Sequence, residues 1–166
     1  NRGAAAPHVV DFDGDGDLDL VLGDWDGMVS YFEHLSDGSF VARVGPEDSM
    51  FYGIDVGNAA APQAVDWDGD GDLDLIIGGG DGKLRYFERL ADSSLRPRLG
   101  PDLNPFHGLD VGPFPVAQAA DWDGDGDLDL IVGGGDGELR YFERLADSSF
   151  RPRLGPDLNP FHGLDV

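Results

Sequence analysis

The chain has 166 residues, 33 acids against 11 bases, a net charge of −22 and no cysteine. That balance argues against a nucleic-acid or anionic-membrane partner, both of which need a basic face. The missing cysteine excludes disulfides and makes thiol redox chemistry an unsuitable reading. No apolar run is long enough to cross a bilayer. No signal peptide is visible, and the chain begins inside a repeating pattern, as a segment cut from a precursor would.

In chain order, the first distinctive string is Asp11-Phe-Asp-Gly-Asp-Gly-Asp-Leu-Asp19. It returns as Asp66–Asp74 and Asp121–Asp129, with Trp67 and Trp122 in place of Phe12. The spacing is 55 residues, and Ala4–Pro7 matches Ala59–Pro62 at the same interval. The chain therefore divides into three units, 2–56, 57–111 and 112–166. The second and third are nearly identical: over 46 residues from Asp66 and from Asp121, only Ile77/Val132, Lys83/Glu138 and Leu95/Phe150 differ. The first is more diverged, with 12 acids and 2 bases.

Each unit reads as β-structure. In the second, Pro62–Val65 predicts a strand ahead of the acidic string. Leu73–Ile77 alternates like a strand, Gly78–Gly82 reads as a hairpin turn, and Lys83–Leu90 returns. A fourth strand is expected at Leu95–Leu99, where Pro97 confines it to a sheet edge. The Pro- and Gly-rich stretch Gly100–Asp110 reads as a link to the next unit. Four short strands fill such a unit, and no helical periodicity appears anywhere. The fold class expected is all-β, as tandem four-stranded antiparallel sheets.

The acidic strings carry the chemistry. Five ionised aspartates at alternate positions repel one another, by roughly 4 kcal/mol for a pair about 4 Å apart at an effective dielectric of about 20. A divalent cation reverses that sign. Calcium accepts six to eight oxygens in a flexible shell, whereas magnesium demands a strict octahedron. The spacing assigns carboxylate ligands to Asp11, Asp13 and Asp15, a backbone carbonyl to Asp17, and a closing bidentate carboxylate to Asp19. The same roles fall to Asp66, Asp68, Asp70, Asp72 and Asp74, and to Asp121, Asp123, Asp125, Asp127 and Asp129. One calcium ion per unit, three in all, brings the charge from −22 to about −16 (−22 + 6). The helix–loop–helix calcium pattern needs an acid at its twelfth position, where Leu22, Ile77 and Val132 stand here.

Other residues read as having plainer roles. His8, His34, His107 and His162 lack metal-ligand spacing and read as surface or linker residues. The Gly78–Gly82 run lacks the Lys-[ST] of a phosphate loop. Trp67 and Trp122 read as packing rings in preference to sugar platforms. Arg85, Arg89, Arg140 and Arg144 read as neutralising nearby acids. A carboxylate pair could serve as the acid and base of a glycosidase, but the loops claim every dense pair. No catalytic residue is assigned, and an enzyme is not expected.

The string D-x-D-G-D-G-x-x-D-L, followed by an apolar strand, a Gly-rich turn and Tyr-Phe-Glu, resembles the FG-GAP/VCBS repeat of integrin alpha heads and microbial surface proteins. The resemblance covers essentially the whole chain. It implies that each unit is one four-stranded β-propeller blade and that the loop aspartates bind calcium. It also implies an extracellular, secreted or cell-surface module for adhesion or for recognition of a protein or glycan. Calcium supply outside cells fits the same compartment. The alternatives are a structural subunit of a calcium-stabilised filament or array, and an accessory or lectin-like domain of a secreted enzyme. Propellers close with about four to eight blades. Three units therefore imply self-association, further repeats, or an open array.

Overall fold

The computed structural model describes residues 5–153, 155 and 157–164, and among them it has twelve strands and no helix. β1 (Ala6–Val10), β2 (Asp19–Gly23), β3 (Val29–His34) and β4 (Phe40–Arg43) form the first antiparallel sheet, in chain order. β5 (Ala61–Val65), β6 (Asp74–Gly79), β7 (Lys83–Arg89) and β8 (Leu95–Arg98) form the second. β9 (Val116–Ala120), β10 (Asp129–Gly133), β11 (Leu139–Arg144) and β12 (Phe150–Arg153) form the third. The expected strands are present, and Pro97 sits on the edge strand β8 opposite Phe87, where its missing N–H costs no ladder bond.

These are propeller-type blades. The first strands gather together, β1 against β5 and β5 against β9. At one end the Trp25 ring of the first blade stacks on Phe114 of the third, 5.8 Å between centroids and 15° apart in plane. A straight stack would keep the first and third blades apart, so this contact shows that the blades turn about a shared axis.

Two apolar cores lie between the blades. Val21, Tyr31 and Phe51 of the first blade pack on Leu75, Ile77 and Phe87 of the second. Ile76, Tyr86 and Phe106 of the second pack on Leu130, Val132 and Phe142 of the third. The middle blade is thus covered on both faces, and all six residues of β6 are buried. In β2 burial alternates instead, because one face of the first blade has no neighbour among the described residues. Each fully buried Leu, Ile or Phe contributes about 1.5–3 kcal/mol.

Two sequence expectations shift. Gly78 and Gly79 belong to β6, paired with Leu84 and Lys83, and the turn is confined to residues 80–82. The reason for glycine is the neighbouring blade: a Cβ on Gly78 would lie 1.8 Å from the carbonyl oxygen of Pro115, and one on Gly23 would lie 2.1 Å from that of Ala60. A methyl there collides with backbone, which cannot rotate away. Gly78→Ala is expected to cost at least about 3 kcal/mol, the upper range for overpacking, read as a lowered urea midpoint. The second shift concerns Gly100–Asp110, which is more than a link. Phe106 is buried to 2% exposure in the second core, and the Asn104 side-chain amide donates to the Leu84 carbonyl at 3.0 Å.

Candidate metal centre

Each acidic loop joins the first two strands of its blade. Its ends are fixed by pairing: Val10 faces Asp19, Val65 faces Asp74, and Ala120 faces Asp129. Between those anchors the chain must turn sharply. Gly14 and Gly16 adopt φ of 82° and 97°, in the left-handed region that other residues avoid. A Cβ at either would meet nothing within 4 Å, so backbone conformation alone requires glycine there.

The first aspartate organises the turn. Asp11 accepts from the backbone N–H of Gly14 at 2.8 Å and of Gly16 at 3.1 Å. Asp13 accepts from the N–H of Asp15, and Asp15 from that of Asp17. The second and third loops repeat the same bonds around Asp66 and Asp121. Ligand atoms of Asp11, Asp13 and Asp15 come within 4.8 Å of one another, as do those of Asp66, Asp68 and Asp70, and of Asp121, Asp123 and Asp125. Each repeat therefore presents one triplet of carboxylates that can hold a metal ion. The oxygen donors suit a hard cation. Partial burial, with repulsion from Asp19 and Asp15, raises Asp13 above the usual carboxylate range. Asp68 and Asp123 are raised in the same way, by burial first and then by neighbouring carboxylates. Asp17, Asp72 and Asp127 lie on the loops outside these triplets.

The ninth aspartate is placed differently from the other carboxylates. Asp19, Asp74 and Asp129 are 1%, 0% and 0% exposed. One Asp74 oxygen accepts from the Trp67 N–H at 3.2 Å and the Tyr86 hydroxyl at 2.7 Å, and the other from the Arg89 N–H at 2.8 Å. Asp19 makes the matching bonds to Phe12, Tyr31 and His34, and Asp129 to Trp122, Tyr141 and Arg144. A carboxylate offers about four lone-pair sites. Three are taken, so one remains, and the closing ligand would be a single oxygen in place of the bidentate pair expected from spacing. Burial and the adjacent carboxylate push the hydroxyls of Tyr31, Tyr86 and Tyr141 far above their ordinary range, which keeps them donors. Burial raises Asp74 itself, against the lowering effect of Tyr86 and the Arg89 N–H.

The arginines divide into two roles. Arg85 holds Asp81 through two bonds of 3.0 Å, as expected. Arg140 holds Asp136 likewise, and this bond draws the Asp136 carboxyl down to about 2. Arg89 and Arg144 form no ion pair with an acid among the described residues. Arg89 donates to the Phe12 carbonyl at 2.8 Å and lies over its ring at 5.1 Å. Arg144 donates to the Trp67 carbonyl at 3.3 Å and lies over that ring at 4.7 Å. Each therefore clamps its own blade to the loop of the preceding one. Arg89→Ala is expected to cost about 2 kcal/mol, one charge-assisted bond plus ring contact. Lysine should restore less than half, since it lacks the planar fork; chemical denaturation of both variants checks this. Trp67 packs as expected at 4% exposure, while Trp122 stands 49% exposed. His8 and His34 lie in β1 and β3, and no histidine joins a metal-ligating group among the described residues.

The family model described as FG-GAP-like repeat matches residues 11–77 and again residues 66–132, each match running from one acidic loop through the next. A comparison with curated proteins finds no match to the chain. The two overlapping matches span most of the sequence and begin on the aspartates that organise the loops, and the chain belongs to the FG-GAP-like repeat family.

Proposed function

We propose that each acidic loop holds one structural calcium ion and that the calcium-stiffened blades form a non-catalytic module for extracellular adhesion or for recognition of a protein or glycan. The observation that carries this reading is the carboxylate triplet, repeated three times with the same loop hydrogen bonds. Three convergent carboxylates and a fourth with one lone pair left supply oxygen ligands, and the remaining positions of a six-to-eight shell are open to backbone and water. In a four-stranded meander the first and third connections share one end and the second lies at the other. The acidic loops thus line one rim. On the opposite rim Ala6, Trp25, Ala59 and Phe114 line an apolar hollow where a ligand has something to bury against.

A second reading, a structural subunit of a larger array, is favoured by the outward blade faces at either end of the chain. Val9 on the first blade and Trp122 on the third are about half exposed, at 58% and 49%.

Calcium titration followed by native mass spectrometry tests the central claim. The expected stoichiometry is three, falling by one in Asp66→Asn and again when Asp121→Asn is added. No uptake at 10 mM calcium, well above the roughly 10⁻³ M limit of extracellular modules, overturns it. Recognition is tested on immobilised matrix glycoproteins, with retention in calcium and release by chelator expected.

A further inference from the structure

We propose that Arg89 and Arg144 are positioning residues that couple the acidic loops of neighbouring blades, so that filling one loop with calcium raises the affinity of the next. The inference rests on the calcium reading proposed for the loops and adds to it a dependence of each site on its neighbour.

The bonds that order each loop do not stop at its own blade. In the second blade the two ends of Arg89 serve different loops. Its backbone N–H donates to one oxygen of Asp74, the ninth aspartate of its own loop, at 2.8 Å. Its guanidinium donates to the carbonyl of Phe12, between Asp11 and Asp13 of the preceding loop, also at 2.8 Å. Arg144 repeats this one blade on, with its N–H on Asp129 at 2.8 Å and its guanidinium on the Trp67 carbonyl at 3.3 Å. The two links join through Trp67, whose N–H donates to the other oxygen of Asp74 at 3.2 Å. One hydrogen-bonded line therefore runs from Phe12 through Arg89, Asp74, Trp67 and Arg144 to Asp129, and it touches all three loops.

The line can carry a coupling because its links need closed loops. Among the described residues, Arg89 Nε is buried with no hydrogen-bond partner, and the Phe12 carbonyl is the one acceptor of the guanidinium. If that carbonyl moves away, a part-buried cation is left with no acceptor, which costs more than the bond itself contributes. The Phe12 carbonyl is placed in turn by its neighbours. Ligand atoms of Asp11, Asp13 and Asp15 lie within 4.8 Å of one another, where ionised carboxylates repel until a cation enters. A cation that holds the three together fixes the peptide between the first two, and with it the acceptor for Arg89. Arg89, held at its tip, then presents its N–H to Asp74 from a fixed place in β7. Groups ordered by the first ion need not be ordered again by the second, and that saving is a positive coupling.

Calorimetric calcium titrations of the full chain, with stoichiometry read by native mass spectrometry, test this as a thermodynamic cycle. Asp121→Asn leaves the first two loops to bind. In that background Asp11→Asn is expected to weaken the second loop at least about fivefold, the lower end of typical couplings. Asp66→Asn should weaken the first loop by the same factor, since coupling in affinity is reciprocal. Arg89→Ala keeps the N–H to Asp74 and removes only the link to Phe12, so it should shrink both effects below about twofold. Arg89→Lys, with its charge and a single compact donor, should fall between. Arg144→Ala should leave both effects standing, and should abolish coupling between the second and third loops when Asp11→Asn is the background. A general loss of stability would weaken each loop whichever neighbour is filled, so this pattern separates positioning from mere support. The arginine variants are not needed to overturn the proposal: a second loop indifferent to Asp11→Asn does so. A coupling that survives Arg89→Ala and Arg89→Lys does so too. Either result, with three ions bound to the unmodified chain, leaves the calcium reading in place, whereas no calcium uptake overturns both.

Discussion

Excess chelator is expected to lower the melting temperature by about 8–16 °C from its value at a tenfold excess of calcium over the dissociation constant. At that excess each independent site contributes about 1.4 kcal/mol, so the three carboxylate triplets contribute about 4 kcal/mol together. One kcal/mol corresponds to about 2–4 °C for a chain of this size. At a hundredfold excess the sum is about 8 kcal/mol and the shift about 16–32 °C. The sign follows from the loops themselves, since Asp13, Asp68 and Asp123 are raised by burial and by neighbouring carboxylates. That repulsion opposes folding until a cation enters. Magnesium at equal concentration should recover only part of the shift, because it demands near-ideal octahedral geometry and dehydrates reluctantly. Differential scanning calorimetry with both metals and with chelator measures all of this. A melting temperature indifferent to chelator would mean that the aspartates hold no structural ion.

Most of the fold was legible because the pattern is local and occurs three times. The acidic string, the alternating Leu73–Ile77 and the return at Lys83–Leu90 each declare themselves within ten residues, and β5–β8 appear where they were expected. The residues that sequence reading missed act over distance. Arg89 reaches Phe12 across 77 positions, and Gly78 faces Pro115 in another blade. A glycine run before a turn looks like turn chemistry until the neighbouring carbonyl is seen. Phe51, Phe106 and Phe161 recur at the 55-residue interval within loops that look solvated. Their recurrence was the available signal: two of them are buried in the cores, and Phe161 sits 4.9 Å from Trp122.

The site was legible in its first three carboxylates and not in its last. Ligand spacing treats Asp15 and Asp19 alike, because alternation along the chain says nothing about direction. The structure separates them. Asp15 is exposed on the loop, whereas Asp19 begins β2 and turns inward beneath Tyr31. The tyrosine twelve positions on could have revealed this, since Asp19/Tyr31, Asp74/Tyr86 and Asp129/Tyr141 keep the same interval in all three repeats. A conserved interval between a carboxylate and a hydroxyl on adjacent strands is the signature of a buried bond.

Asp74→Ala is expected to destabilise the protein by at least about 3 kcal/mol, with or without calcium. The substitution removes the acceptor for the Tyr86 hydroxyl and the Trp67 and Arg89 N–H groups, all at a fully buried carboxylate. Each stranded donor costs about 1–3 kcal/mol, and the middle blade, packed on both faces, has little room to relax. Asp74→Asn keeps one acceptor and sets an amide N–H against a donor, so its loss should be smaller. Tyr86→Phe removes one bond to a charged group, for about 1.5–3 kcal/mol. The decisive comparison is with Asp66→Asn, which alters a half-buried carboxylate that organises the loop through the Gly69 and Gly71 N–H groups. If Asp74 ties the loop to β7 as the hydrogen bonds indicate, its loss persists under chelator, while that of Asp66→Asn shrinks to the cost of one loop hydrogen bond, about 0.5–1.5 kcal/mol. If both losses vanish together when calcium is removed, Asp74 serves only as a ligand and its three bonds carry no net stability. Urea unfolding of the four variants, each with calcium and with chelator, decides between these outcomes.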